Sequence, residues 1–177
     1  MIKQMLSART LSLTGVLLLS IGAATTTEAA NTAQANLSVT ASVTANCTIS
    51  TTAVAFGAYD PITANASTAL DGTGSVSVTC TSGASAKVTL DQGANADTGS
   101  TDTVPARRLT DGSSHYLSYT LYQDSGRTTA WGNTAATGVA STGTGSAVSL
   151  SVYGSVSSGQ NVPAGSYADT VVATVTF

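Results

Sequence analysis

Residues 35–46 place the first constraint on what this chain can fold into. Ala35, Leu37, Val39, Ala41, Val43 and Ala45 are apolar, and every position between them is Asn, Ser or Thr. Successive side chains of a β-strand point to opposite faces, so the run predicts a strand with one apolar and one polar face. It stands immediately before Cys47. Two placements are open from the pattern: it folds back as the first strand of its own sheet, or it leaves its domain and completes the sheet of another.

Residues 1–29 read as a secretory signal peptide. Lys3 and Arg9 give a positive start, Leu11 to Ala24 is mostly apolar around Leu17-Leu18-Leu19, and small residues follow. A transmembrane helix needs about 20 apolar residues, whereas this run is shorter and broken by Ser12, Thr14 and Ser20. Ala29 is the preferred cleavage point, with Ala24 and Ala35 as alternatives. Beyond it, four basic residues (Lys87, Arg107, Arg108 and Arg127) stand against eight aspartates, a formal charge of −4. Nucleic-acid binding needs a basic face to neutralise phosphates, so that class of partner is excluded. The remaining length suits one domain with a real core.

In an exported chain, the pair Cys47 and Cys80 most simply means one disulfide. Closing a loop of that length stabilises a fold by roughly 3–4 kcal/mol on the chain-entropy model. His115 is the only histidine, so a zinc site is not expected; calcium on the Asp-bearing loops has weak support, and no residue is assigned to a metal.

Strand patterns recur through the chain and helical ones do not. Val76, Val78 and Cys80 alternate with Ser and Thr, as do Ala86, Val88 and Leu90 with Lys87 and Thr89. Leu117, Tyr119 and Leu121 share one face, opposite Tyr116 and Tyr122, and Val148, Leu150 and Val152 repeat the pattern. Turns are expected at Asp71-Gly72, Asp111-Gly112, Ser125-Gly126, Gly143-Thr144-Gly145 and Pro163-Ala164-Gly165. Residues 92–104 and 133–146 read as long polar loops or weak hairpins. A final strand carries Tyr167, Asp169, Val171, Ala173, Val175 and Phe177 on one parity. Phe177 is still in phase, so this apolar β-run carries no closing turn. A sandwich one strand short would expose a groove between its sheets, which the run at 35–46 could fill from its own chain or from another. The fold class is an all-β antiparallel sandwich.

Catalytic chemistry finds little support. Ser-His-Asp hydrolysis has only His115 to draw on, in a turn entering a strand. The Gly-Thr-Gly-Ser runs at 72–75 and 143–146 lack the lysine and helix of a phosphate site and read as loop glycines. Tyr116, Tyr119, Tyr122 and Trp131 suit either a sugar-binding platform or core packing, and their alternation favours the core.

The order of the short motifs carries a family likeness. Asn46-Cys47, Phe56-Gly57-x-Tyr59-Asp60 and Val78-Thr79-Cys80 are followed by Leu117-x-Tyr119-x-Leu121-Tyr122-x-Asp124 and Trp131-Gly132. Val152-Tyr153-Gly154, Gln160, Gly165-x-Tyr167-x-Asp169-Thr170 and Val175-x-Phe177 close the series. In these the chain resembles the spore coat U domain, the subunit family of archaic chaperone–usher pili in Gram-negative bacteria.

The resemblance implies an incomplete immunoglobulin-like sandwich completed by donor-strand complementation. It divides the chain into signal peptide 1–29, donor extension 30–46 and pilin domain 47–177. Leu37, Val39, Ala41, Val43 and Ala45 would be the inserting residues, and the strand from Tyr167 to Phe177 would wall the groove and dock the chaperone. It further implies identical or related subunits, a periplasmic chaperone and an outer-membrane usher as partners. The expected place is a cell-surface pilus, with a role in surface attachment and biofilm formation, no cofactor and no enzymatic activity. The competing classes are a secreted binding module or tip adhesin using loops 92–104 and 133–146, and a small β-sandwich hydrolase.

Overall fold

The computed structural model describes residues 28–177, so the expected signal peptide lies outside the described residues except for its last two positions. The chain divides into two units, residues 1–40 and 41–177. Residues 28–40, the described part of the first, carry no regular secondary structure. The second opens with six more irregular residues, 41–46. The alternation at 35–46 therefore does not fold as a strand. Period-2 patterning makes one face suitable for burial, but a strand also needs a hydrogen-bonded neighbour.

Eight strands follow: β1 (Cys47–Thr52), β2 (Leu70–Cys80), β3 (Ser85–Leu90), β4 (Arg107–Thr110), β5 (Tyr116–Tyr122), β6 (Val139–Thr142), β7 (Ala147–Val156) and β8 (Ala173–Thr176). They form a five-stranded sheet in the order β1-β2-β7-β5-β4 and a three-stranded sheet in the order β6-β3-β8. Every pairing is antiparallel. This is the incomplete immunoglobulin-like sandwich expected from the sequence.

The alternating runs became strands because one face of each meets the core. Val76 and Val78 of β2, Val152 and Val156 of β7, and Leu117, Tyr119 and Leu121 of β5 point inward from the larger sheet. Val88 and Leu90 of β3 meet them from the smaller. Trp131 is completely buried and its indole N–H donates to the Val88 carbonyl at 3.0 Å. Cys47 and Cys80 form a disulfide at the first paired position of β1 and β2.

Two expectations are corrected here. Asp71-Gly72 is not a turn, and the glycines at 72–75 are not in a loop: Gly72 and Gly74 lie inside β2. They share the inward parity of Val76 and Val78, and the chain leaving β1 crosses directly above them. A Cβ on Gly74 would meet the Thr52 carbonyl at 2.6 Å, and one on Gly154 of β7 would meet the Phe56 ring at 2.7 Å. The absent side chains make the floor on which Val54 and Phe56 sit, with Phe56 edge-on to Tyr119 at a centroid distance of 5.9 Å. The other correction is to the strand list: neither β1 nor β4 was anticipated by the sequence reading.

The close approach makes a direct prediction. Gly74→Ala forces the 52–54 backbone outward and should cost about 1–3 kcal/mol, as overpacking of a filled core does. The urea midpoint of the purified protein should fall accordingly, and an unchanged midpoint would contradict the contact.

Candidate functional site

The two sheets are unequal, five strands against three. At roughly 4.8 Å per strand, the smaller sheet falls about 10 Å short of covering the larger. β8 is an edge strand of the smaller sheet, with one ladder partner among the described residues, β3, through Lys87↔Thr176, Val88↔Val175, Thr89↔Thr174 and Leu90↔Ala173, and β1 of the larger sheet lies close to it.

The segment entering β8 keeps the same orientation. Val172 O accepts from Asp91 N at 3.0 Å, Thr170 O accepts from Ala94 N at 2.9 Å, and Ala168 exchanges two bonds of 2.9 Å with Thr110. All of these are even positions. In extended backbone the N–H and C=O of one residue point to the same side, and that side alternates along the chain. Asp169, Val171, Ala173 and Val175 therefore present their backbone groups to the open edge. The same odd residues turn their side chains inward. Tyr167, Val171, Ala173 and Val175 are half-buried against the core, whereas 168, 170, 172, 174 and 176 are exposed.

Along this edge runs a groove. One part, of about 350 Å³, is lined by Ala53, Val54, Phe56, Val76, Leu121, Val171 and Ala173, among others. A second, of about 810 Å³, continues past Tyr59, Leu70, Leu117, Val156, Val162 and Tyr167. Val54, Phe56, Leu109 and Asp169 line both parts, so the two adjoin at these residues.

Asp169 is the one charged side chain in the lining of the groove, whose other polar members are Thr, Ser and Asn. Its Oδ2 accepts from the Tyr119 hydroxyl at 2.6 Å, and its Oδ1 accepts from the Asn95 backbone N–H at 3.2 Å and from Asn95 Nδ2 at 3.0 Å. Burial, reinforced by the Asp169 carboxylate, pushes the Tyr119 phenol well above its ordinary pKa, so Tyr119 stays a donor. Behind them Arg107 is buried, its Nε donating to the Asp91 carbonyl and its Nη2 to the carbonyls of Leu90 and Trp131. Desolvation pushes its pKa down, while Tyr119, Asp91 and Asp169 oppose that shift.

The sequence-expected site residues are distributed unevenly. The final strand is shorter than expected: regular pairing covers only Ala173–Thr176, and Tyr167, Asp169 and Val171 precede it. The chain there is crossing from the edge of one sheet, at the Thr110↔Ala168 bridge, to the other, so no single neighbour supplies a continuous ladder. Phe177 is in phase but 53% exposed and lines neither part of the groove. In the amino-terminal run Leu37, Val39 and Val43 are 87%, 84% and 86% exposed, and Ala41 and Ala45 are exposed as well.

The alternative sites have little to offer. Trp131 and Tyr119 are core residues, Arg108 lies over the Tyr116 ring at 4.1 Å, and Tyr122 is half-buried opposite Tyr153 of β7. His115 sits in the β4–β5 turn with its Nδ1 at 2.7 Å from Asp111 Oδ2. Among the described residues, no group of three His, Cys, Asp or Glu side chains could hold a metal ion. Sequence reasoning missed Arg107 and the glycine floor. The inward parity of Gly72 and Gly74 with Val76 was the available signal for the floor.

Comparison with known proteins identifies the family. The Spore Coat Protein U domain model matches residues 33–174, and the chain belongs to that family. It is 50% identical over 155 residues to "Protein U" of Myxococcus xanthus, an alignment covering 84% of this chain and 87% of the relative. A solved structure with a similar fold comes from the CsuC–CsuE chaperone–tip adhesion subunit pre-assembly complex of the archaic chaperone–usher Csu pili of Acinetobacter baumannii. The TM-score is 0.51 at 21% identity, over 76% of this chain and 40% of that one. At that identity the likeness bears on the fold.

The Asp169 network yields a test. Tyr119→Phe keeps the ring against Phe56 and removes one hydrogen bond to a charged, partly buried group. It should cost about 1–2 kcal/mol, the usual value reduced for partial exposure. Thermal unfolding of Tyr119→Phe beside Asn95→Ala would show both variants lowered if the carboxylate depends on these donors.

Proposed function

We propose that this chain is a structural subunit of an archaic chaperone–usher pilus, polymerising by inserting residues 37–45 into the groove of the next subunit. The observation that carries the reading is the groove itself: it is bounded by the open backbone groups of Asp169, Val171, Ala173 and Val175, in a protein that also displays an exposed segment with apolar side chains at every second position. An added strand supplies main-chain hydrogen bonds along the open edge and side chains for the channel below. It also covers an edge that would otherwise invite aggregation. Each contact joins the front of one subunit to the back of the next, so growth is linear and does not close.

In this reading the 167–175 edge receives a periplasmic chaperone's strand before it receives a neighbour's, and an outer-membrane usher carries out the exchange. The product is a surface fibre that serves attachment and biofilm formation. The Cys47–Cys80 disulfide ties the root of β1 to β2 while the groove is still empty. The family membership and the pilus-subunit fold of the solved neighbour support this reading.

Material sheared from the producing cells and run unheated beside boiled should give a ladder that collapses to one band on boiling. A single monomer band in both lanes, with protein present at the surface, would favour a secreted binding module instead.

Two sets of variants sharpen the test. Val39→Asp and Val43→Asp each bring a carboxylate into the apolar channel, a burial costing upwards of about 2 kcal/mol when unpaired. Each should cut the multimer fraction at least about tenfold while leaving the chaperone complex intact, since that complex uses the variant's own unaltered groove. Normal fibres from either would overturn the assignment of residues 37–45. Cys47→Ser with Cys80→Ser should lose about 2–5 kcal/mol of stability and lower the yield of chaperone-bound subunit, measured by co-purification.

A further inference from the structure

We propose, resting on the reading above, that the joint between subunits has a single register: the donor segment runs antiparallel to residues 165–173 of a second copy, with Ala41 opposite Asp169. Two features of the groove select it. On the accepting edge the inward side chains are odd-numbered, and on the donor the apolar side chains are odd-numbered too. Sliding one past the other is therefore allowed only in steps of two, because a one-residue slip would turn the Ser and Thr face into the core.

The first selecting feature is Asp169. Both of its carboxylate oxygens are engaged, by Tyr119 and Asn95, and it lies in electrostatic range of the buried Arg107. A branched apolar side chain laid against it would remove its remaining water without offering a hydrogen bond. Of the donor residues only the alanines avoid this: Ala35, Ala41 and Ala45.

The second is volume. Ala173 is the smallest inward side chain of the edge, and it faces the part of the channel lined by Ala53 and Val171. Leu37 is the largest donor side chain. With Ala41 at Asp169 in the antiparallel sense, Leu37 falls opposite Ala173, Val39 opposite Val171 and Val43 opposite Tyr167, so the largest donor side chain meets the smallest apolar side chain of the edge. Placing Ala45 at Asp169 sets Ala41 against Ala173, which leaves a void, and carries Leu37 out to the exposed Phe177. Placing Ala35 there carries Val39 to Gly165 and sets the polar Asn31 against Ala173. The parallel arrangement with Ala41 at Asp169 sets Ala45 against Ala173 and Leu37 against Gly165, and parallel pairing is also slightly weaker. Ala41 is thus the register-determining residue: its lack of a side chain beyond Cβ is what lets the strand pass the carboxylate.

The even-numbered positions test this without touching the core. They point outward on both strands, and in the proposed register they form the non-hydrogen-bonded pairs Ser38–Val172, Thr40–Thr170 and Ser42–Ala168. Such pairs have a Cα separation of about 4.5 Å, inside the range a disulfide spans. Fibres sheared from cells producing the double variant Thr40→Cys with Thr170→Cys should keep their ladder after boiling without reductant and lose it when reductant is added. Ser38→Cys with Val172→Cys should do the same. The offset pairs Thr40→Cys with Val172→Cys, and Thr40→Cys with Ala168→Cys, should collapse to monomer on boiling.

A ladder held by an offset pair would overturn the register. So would collapse of all pairs to monomer while the unheated lanes still show multimers. Absence of multimers in the unheated wild-type lane is a different failure: it removes the joint itself, and the register with it. As a second readout, Ala41→Val should reduce multimers several-fold in wild-type Asp169 and recover them when combined with Asp169→Asn, whose side chain carries no charge. No recovery in the double variant would count against the role given to Asp169.

Discussion

The structure depends on a single imbalance in hydrogen bonding. A β-sandwich is stable when both sheets cover each other and every buried backbone group has a partner. Here the larger sheet satisfies that condition across β2, β7 and β5, whereas the smaller one stops at β8 with the backbone of 169–175 open along one side. Most features near the groove can be understood as holding its walls in place despite that open side.

Three of these act together. The disulfide fixes the far wall by closing β1 onto β2 at their common end. The Val54–Phe56 stretch, seated on Gly72, Gly74 and Gly154, plugs the channel from within and reaches Tyr119. Arg107 serves the near wall: where the β3 ladder ends, the carbonyls of Leu90, Asp91 and Trp131 would be left without donors, and one guanidinium supplies all three. A buried arginine is costly to desolvate, yet a neutral side chain could not donate in three directions from a single stem. Tyr119 connects the systems, since its ring meets Phe56 and its hydroxyl holds Asp169 on the accepting edge.

How much of this was legible in the sequence follows from which contacts are local. The strands β2, β5 and β7 were readable because each alternates against one core, and the inward parity of 167–175 survived even where regular pairing did not. What the sequence concealed were the residues whose role is defined by a distant partner. Gly72 and Gly74 carry the chemistry of a turn, yet pairing with β7 makes them strand residues, and the segment from 52–56 laid over them leaves no room for a Cβ. Arg107 breaks the rule that charge faces outward, and so hid both the buried cation and the strand β4 that carries it. The amino-terminal run is the opposite case. Its alternation is the clearest in the chain, yet it forms no strand, because a pattern describes a face and cannot supply a hydrogen-bonding neighbour.

The charge distribution bears on how the proposed joint would work. From residue 29 to residue 59 there is no charged side chain, so neither the donor segment nor the β1 wall of the groove carries one. Side-chain charge on the segment therefore does not steer it to the channel, and association without such steering is orders of magnitude slower than steered encounter. The bound state would rest on backbone hydrogen bonds and on packing of Leu37, Val39 and Val43, terms that salt does not screen. A joint built this way is slow to form, insensitive to ionic strength and slow to release. Those are useful properties for an assembly outside the cell, where salt varies and no energy source exists to rebuild a broken contact. They also explain why such a joint would need a partner to hold the groove open beforehand: with no electrostatic search to shorten the encounter, an empty channel would be exposed to any other strand for as long as it waited.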